Sequence, residues 1–256
     1  MDASSWDAAL DAWRPPAPPE SAPAREAALQ TALTDDADAT GSPSFDRARR
    51  ALTDGAAVLD VGCGAGRASV ALAADAPGAA LVGVDPSAAL LEAFAARARG
   101  ASVPVRTVLG SWPEAAARTP SADVVVCHHV LYYAASLVPF ARALTDRARR
   151  RVVVEIPWEH PHAWMRPLRA ALGEPDRPDP PTAPGAARVL RGLGLRVRIQ
   201  EWTDDADPWC GRAGALARHV GDRLGSTDTD RVRALLDEYG LPPRGRRMAT
   251  LWWPPP

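Results

Sequence analysis

The sequence predicts an α/β fold, a doubly wound and mostly parallel sheet with helices on both faces. Three observations carry this. From Ala57 onward, short apolar runs alternate with helical stretches. The runs are nearly continuous rather than alternating, as expected of strands covered on both sides. The first run, Val58-Leu59-Asp60-Val61, leads straight into Gly62-Cys63-Gly64-Ala65-Gly66-Arg67 and then a helical stretch rich in Ala, Val and Leu. A glycine turn there lets a ligand lie against bare backbone, because glycine has no Cβ and tolerates positive φ.

The elements follow in order. Residues 1 to about 50 are polar and rich in Ala and Pro. Short helices are expected over Trp6–Trp13 and Phe45–Leu52, with Pro15-Pro16 and Pro18-Pro19 marking a linker. Residues 1–44 read as an N-terminal helical arm or lid, and two readings stay open: a mobile lid or a frayed arm. Residues 45–256 read as the main domain. Strand one is Ala57–Val61, with its helix at Arg67–Ala74. Strand two is Ala80–Val84, followed by a helix from Ser87 to Arg99 that Ser87 can cap. Strand three is Val103–Leu109 and strand four Asp123–Cys127, with a helix at Val138–Arg149. Strand five is Arg151–Ile156. A helix from His160 to Leu172 comes next, then the Pro-rich Arg177–Pro184 and a helix over Gly185–Leu193. Leu195–Trp202 is strand six and Arg247–Trp253 strand seven. Between them, residues 203–243 form a helical insertion with helices at Asp207–Leu224 and Asp228–Tyr239. It either covers a substrate pocket or pads the sheet.

Composition narrows the function classes. The chain has 256 residues and a formal net charge of −1, so no global field favours nucleic acid. Every basic residue is Arg, which with the abundant Ala reflects GC-rich codon usage. Cys63, Cys127 and Cys210 are too scattered for a disulfide framework or a zinc site, so no metal is expected. No secretory leader and no membrane-length apolar run is visible, so a cytoplasmic protein is expected, with no membrane partner.

The glycine spacing separates two nucleotide-binding readings. A dinucleotide fingerprint would end at Arg67, where a small residue is needed, which argues against a nicotinamide-dependent oxidoreductase. The run V-L-D-V-G-C-G-A-G-R instead resembles motif I of the class I S-adenosylmethionine (SAM)-dependent methyltransferases. Asp85 ends strand two, 23 positions after Gly62, where an acid can accept bonds from both hydroxyls of a ribose.

The resemblance covers about residues 45–202 and the last strand. It implies a seven-stranded sheet whose last strand is antiparallel and slots between strands five and six. It implies SAM as cofactor, with S-adenosyl-L-homocysteine (SAH) as product, and a small-molecule methyl acceptor. Asp60 would meet the amino end of SAM. The turn of Gly62, Cys63, Gly64 and Gly66 would pack against its methionine and ribose parts. Asp85, with Pro86 beside it, would hold the ribose. Many members have an Asp where Ser111 stands, bonding the adenine amino group. Here Ser111 could bond adenine more weakly and Trp112 could pack on it, or Trp112 could fill the core. His128 and His129, at the end of strand four, match the motif IV region that faces the transferable methyl.

Candidates for the acceptor chemistry cluster after strand five, in Glu155-Ile156-Pro157-Trp158-Glu159-His160-Pro161-His162-Ala163-Trp164. A general base helps methylation of a hydroxyl, by about 10²–10⁴-fold. His128, His129 and His160 are the candidate bases, and Glu155 could steady a histidine or a cationic amine. His160-Pro161 could equally just start a helix. Neither an N/D-P-P-Y/F motif nor a Pro-Cys nucleophile occurs, which disfavours nucleic-acid methylation. The expected function is thus O- or N-methylation of a small molecule by a monomer or homodimer. The alternative is a non-catalytic SAM-binding or partner-binding protein on the same fold.

Overall fold

The computed structural model describes residues 2–14, 40–206 and 209–256. The Pro15–Pro19 linker and the expected helix start at Asp207 lie outside them. Seven strands form one sheet in the order β3-β2-β1-β4-β5-β7-β6. They are β1 (Ala57–Val61), β2 (Ala80–Asp85), β3 (Val105–Leu109), β4 (Ala122–His128), β5 (Ala148–Pro157), β6 (Arg198–Asp204) and β7 (Arg246–Trp253). Neighbours from β3 to β5 pair in parallel, and β7 runs antiparallel to both β5 and β6. This is the class I methyltransferase topology that the sequence resemblance implies.

The described helices divide between the two faces. On one side lie α2 (Pro43–Arg49), α3 (Arg67–Ala74) and α4 (Ala88–Gly100), which bury Phe45, Val70, Leu72, Leu91 and Phe94 against the sheet. On the other lie α1 (Ala3–Trp13), α5 (Leu137–Arg147) and α7 (Ala183–Gly192). The strands of the centre are mostly apolar because both faces are covered, with Asp60 and Glu155 as buried exceptions near their ends.

The first helix packs against the body of the fold. Trp6, Leu10 and Trp13 stand at i, i+4 and i+7, so one face is apolar, and all three are buried. Trp6 stacks on Tyr132, and the Trp13 indole N–H donates to the Pro178 carbonyl at 2.9 Å. Asp7 accepts from Ser136 Oγ at 2.6 Å and from the Leu137 amide at 3.0 Å. It thereby caps α5, whose own Ser136 makes no side-chain cap.

Several boundaries differ from expectation. No helix begins at His160. The His160 amide donates to Pro181 and Glu159 bridges Thr182, so the chain stays extended there. A 3-10 turn over Ala163–Met165 follows, and α6 (Arg166–Ala171) starts with Pro167 in its first turn. Strand β6 is displaced toward Asp204 because Leu195 and Val197 are held in the turn that leaves α7. Strand β5 is longer at both ends, with a register shift between Ala122 and Val124 on its partner β4.

Two helices, α8 (Ala213–Leu224) and α9 (Thr229–Glu238), lie between β6 and β7, as the insertion predicts. Their buried residues do not pad the sheet. Leu216, Val220, Val232 and Leu236 close a small separate core with Met165 and Leu168 from the α6 segment.

Candidate active site

The glycine turn is built from its own amides. Gly62 and Cys63 donate to the Val84 carbonyl at 2.8 and 3.0 Å, tying the end of β1 to β2. Gly62 has φ +69°, and a Cβ there would stand 2.3 Å from Val130 Cγ2. The segment after β4 therefore closes directly on the turn, and this contact needs a bare Cα. Gly64 also has positive φ, but nothing lies within 4 Å of the Cβ it lacks, so its open side is free for a ligand.

These two glycines give a paired prediction. Gly62→Ala should destabilise the protein by about 2–4 kcal/mol, from left-handed backbone and from overpacking against a stiff valine. Gly64→Ala should cost only about 1 kcal/mol. Urea unfolding midpoints of the two variants check the difference.

Both acids predicted from the sequence stand at this turn. The Asp85 carboxylate accepts from the Gly64 amide at 3.0 Å and from the Ser87 amide at 2.9 Å. Burial raises its pKa, and those two bonds oppose the rise. Asp60 ends β1 and is buried. Burial pushes its carboxyl up to about 7, the nearby Ser69 hydroxyl lowers it, and the Asp85 charge raises it further. A cation beside Asp60 would relieve that cost.

The remaining predicted residues separate. Cys63 turns its thiol away from the open side: Sγ packs 2.8 Å from where a Cβ of Gly83 would be, inside the core below the turn. The thiol also reaches the Gly64 carbonyl at 3.6 Å. Pro86 and Ser111 are exposed. Trp112 is core, with its indole N–H donating to the Phe140 carbonyl at 3.2 Å. Leu109, beside Asp85 in the β2–β3 register, is 53% exposed. It is an apolar surface at the strand end that the sequence reading missed.

At the ends of β4 and β5, three candidates come together. His128 pairs with Glu155 in register. His129 follows with φ +62°, a left-handed backbone that is unusual for histidine. Its amide donates to the Glu155 carbonyl at 2.7 Å, and its Nε2 lies 3.3 Å from Glu155 Oε1. The carboxyl of Glu155 is buried. Burial alone would raise its pKa, but His128, His129 and the Ser44 hydroxyl together hold it below the usual carboxylate range. Ser44 comes from α2 and bonds Thr250 Oγ1 on β7 at 2.6 Å, a contribution across 206 positions of sequence that no local pattern marks. His128 keeps a buried Nε2 with no partner among the described residues, and burial lowers its pKa against the pull of Glu155.

His160 stands elsewhere, inside a wall of rings. Its centroid is 5.4 Å from Trp13, 5.5 Å from Tyr132 and 5.2 Å from His162. Its Nδ1 accepts from the His162 amide at 3.3 Å. Burial, with Arg177, Arg169 and Arg223 nearby, lowers its pKa to about 3. Among the described residues no cluster of His, Cys, Asp or Glu could hold a metal ion.

A family model described as "Methyltransferase domain" matches residues 58–152, the stretch holding the glycine turn, both acids and the end of β4. Over this stretch the chain is similar to the methyltransferases whose motif I its glycine run resembles. A trans-aconitate 2-methyltransferase of Methylobacterium nodulans is 32% identical over 183 residues, covering 70% of this chain and 65% of that protein. The match thus spans just under two thirds of that relative's length. A SAM-dependent methyltransferase from Thiobacillus denitrificans, solved with SAH, aligns with TM-score 0.58 at 19% identity, over 90% of this chain and 97% of that one. Its counterpart from Geobacter sulfurreducens, also with SAH, aligns with TM-score 0.56 at 17% identity, over 89% and 98%. The two structures share this chain's fold. SAM is the cofactor that this likeness implies, and the residues at the turn fit it: two buried carboxylates and an open backbone face at Gly64.

Proposed function

We propose that this methyltransferase passes the methyl group of SAM to an oxygen or nitrogen of a small-molecule acceptor in the cytoplasm. The observation that carries the reading is the Asp85 carboxylate, 3.0 Å from the Gly64 amide at the open side of the glycine turn. In this reading Asp85 accepts from the ribose hydroxyls. Asp60 faces the ammonium of the amino-acid end, and the backbone of Gly62–Gly66 lies along the methionine and ribose. When bound, SAM supplies a methyl already activated on a sulfonium.

The protein's part is then to position the acceptor and manage its proton. Orientation alone is worth about 7–11 kcal/mol in well-aligned systems. His129 is the candidate base: its ring is half exposed and held by Glu155 Oε1, and its segment closes on the glycine turn through Val130. Glu155 fixes the imidazole and stabilises it once it carries the acceptor's proton. The name of the Methylobacterium nodulans relative supports a small-molecule acceptor and makes trans-aconitate the first compound to offer.

Calorimetric titration with SAH, followed by transfer of label from methyl-labelled SAM to trans-aconitate and then to fractions of a small-molecule extract, tests the proposal. Binding and a labelled small-molecule product are expected. Absence of SAH binding overturns it.

Asp60 gives the titration a pH signature. Its carboxyl, pushed up to about 7, is largely protonated below that pH. A cationic ligand favours the ionised form, so binding releases the proton. SAH affinity should therefore rise by about tenfold per pH unit on approaching pH 7 and level off above it. Titrations at pH 6 and pH 8 measure the slope, and Asp60→Asn should abolish it.

A further inference from the structure

One row of side chains crossing the sheet is polar where the row before it is apolar. Val126, Val153 and Trp252 stand side by side on β4, β5 and β7. Two residues along, on the same face, stand His128, Glu155 and Thr250. Ser44 of α2 covers this second row and bonds Thr250 Oγ1 through its Oγ at 2.6 Å. Ser44 and Thr250 are wholly buried. The row ends in an open ring, since the His129 side chain is 49% exposed and its Nε2 lies 3.3 Å from Glu155 Oε1. We infer that Ser44 and Thr250 are positioning residues: through Glu155 they hold His129 with its ring hydrogen on Nε2, so that Nδ1 is the nitrogen that receives the acceptor's proton. This rests on the reading of His129 as the base and names the atom that does the work.

The placement of the hydrogen follows from what a carboxylate can do. Burial alone would raise the pKa of Glu155, but His128, His129 and the Ser44 hydroxyl hold it below the usual carboxylate range. The group is therefore ionised and only accepts hydrogen bonds. A ring nitrogen facing it must carry a hydrogen, and a neutral imidazole has only one. Nδ1 keeps its lone pair, on a ring half open to solvent. In the transfer the acceptor atom gains the methyl and gives its proton to Nδ1, leaving SAH as the neutral thioether and an imidazolium beside the Glu155 charge.

The backbone holds the same ring in place. The His129 amide donates to the Glu155 carbonyl at 2.7 Å, so Glu155 grips His129 through both main chain and side chain. The left-handed backbone of His129, φ +62°, is costly for a residue with a Cβ and persists where its surroundings over-determine it. The next residue, Val130, packs against Gly62, which ties the segment to the glycine turn. Ser44 and Thr250 then give the carboxyl a fixed support: the Ser44 hydroxyl stabilises its charged form, and Thr250 fixes that hydroxyl. His128 also stands beside Glu155, but its Nε2 is buried, so His129 is the ring that an acceptor can meet.

The test locates the hydrogen directly. Nitrogen-15 shifts of the histidine side chains in the full chain, at alkaline pH where imidazole is neutral, distinguish Nε2–H from Nδ1–H, and His129→Asn assigns the signal. The Nε2–H form should dominate in the parent. Combining Ser44→Ala with Thr250→Val removes both hydroxyls and leaves neither without its partner. The ratio of Nε2–H to Nδ1–H should then fall about fivefold or more. Thr250→Val alone should lower it too, and Thr250→Ser, which keeps the hydroxyl, should restore the parent ratio. Thermal unfolding controls for the fold. A parent ring with its hydrogen on Nδ1 overturns the inference, as does a folded Thr250→Val protein, or a folded double variant, with the parent ratio. Label transfer from methyl-labelled SAM by His129→Asn tests the underlying reading separately: a rate equal to the parent's removes His129 as the base, and with it the role of Nδ1, whatever the position of the ring hydrogen.

Discussion

Replacing Asp85 with alanine is expected to weaken SAH binding by about 100-fold or more. A ribose offers two hydroxyl donors, and a hydrogen bond to a charged acceptor is worth about 1.5–3 kcal/mol. The carboxylate also holds the turn through the Gly64 and Ser87 amides, so its removal loosens the backbone that the ligand would lie against. Asp85→Asn separates the two contributions. It keeps the shape and one acceptor oxygen, so the fold should hold, while the charge-assisted part of the affinity disappears. Calorimetry at pH 8, where Asp60 is ionised, is the measurement, with thermal unfolding as the control for folding. An Asp85→Asn protein that binds SAH as tightly as its parent would remove the central support for the cofactor site.

Trp13→Ala should cost about 3–5 kcal/mol of stability, the range for truncating a large buried aromatic. Trp13 is fully buried, lies against His160, and donates to the Pro178 carbonyl. Its removal strips the cover from His160 and the support from Arg177. The test is a urea unfolding curve. Asp7→Ala, which removes only the cap that α1 places on α5, should cost about 1 kcal/mol and gives the scale. An unfolding midpoint that Trp13→Ala does not move would mean that α1 contributes nothing to the fold.

The sheet was legible because its signals are local. Apolar runs separated by turn residues locate each strand, and the resemblance in motif I fixes their order. Asp60, the three glycines and Asp85 were legible for the same reason, since all lie on one strand–turn–helix–strand unit whose geometry is set by its own sequence. Helix starts governed by distant partners were not. The stretch from His160 reads as a helix, yet its amide is taken by Pro181 and its neighbour Glu159 by Thr182. The support of Glu155 was hidden for a similar reason, because Ser44 and Thr250 reach it from opposite ends of the chain. Arg14, Arg169 and Arg223 likewise meet around one cavity from three distant helices, and no spacing in the sequence announces it.

The position of β7 has a consequence for how the molecule is made. It is the last strand to leave the ribosome, yet it fills the gap between β5 and β6. Until it arrives, two strands synthesised earlier present unpaired backbone, one of them along the most apolar part of the sheet. Unpaired edges of that kind recruit other chains. Nascent copies of this chain are therefore most exposed to aggregation during the interval in which the insertion is being translated, and that is where a chaperone would act.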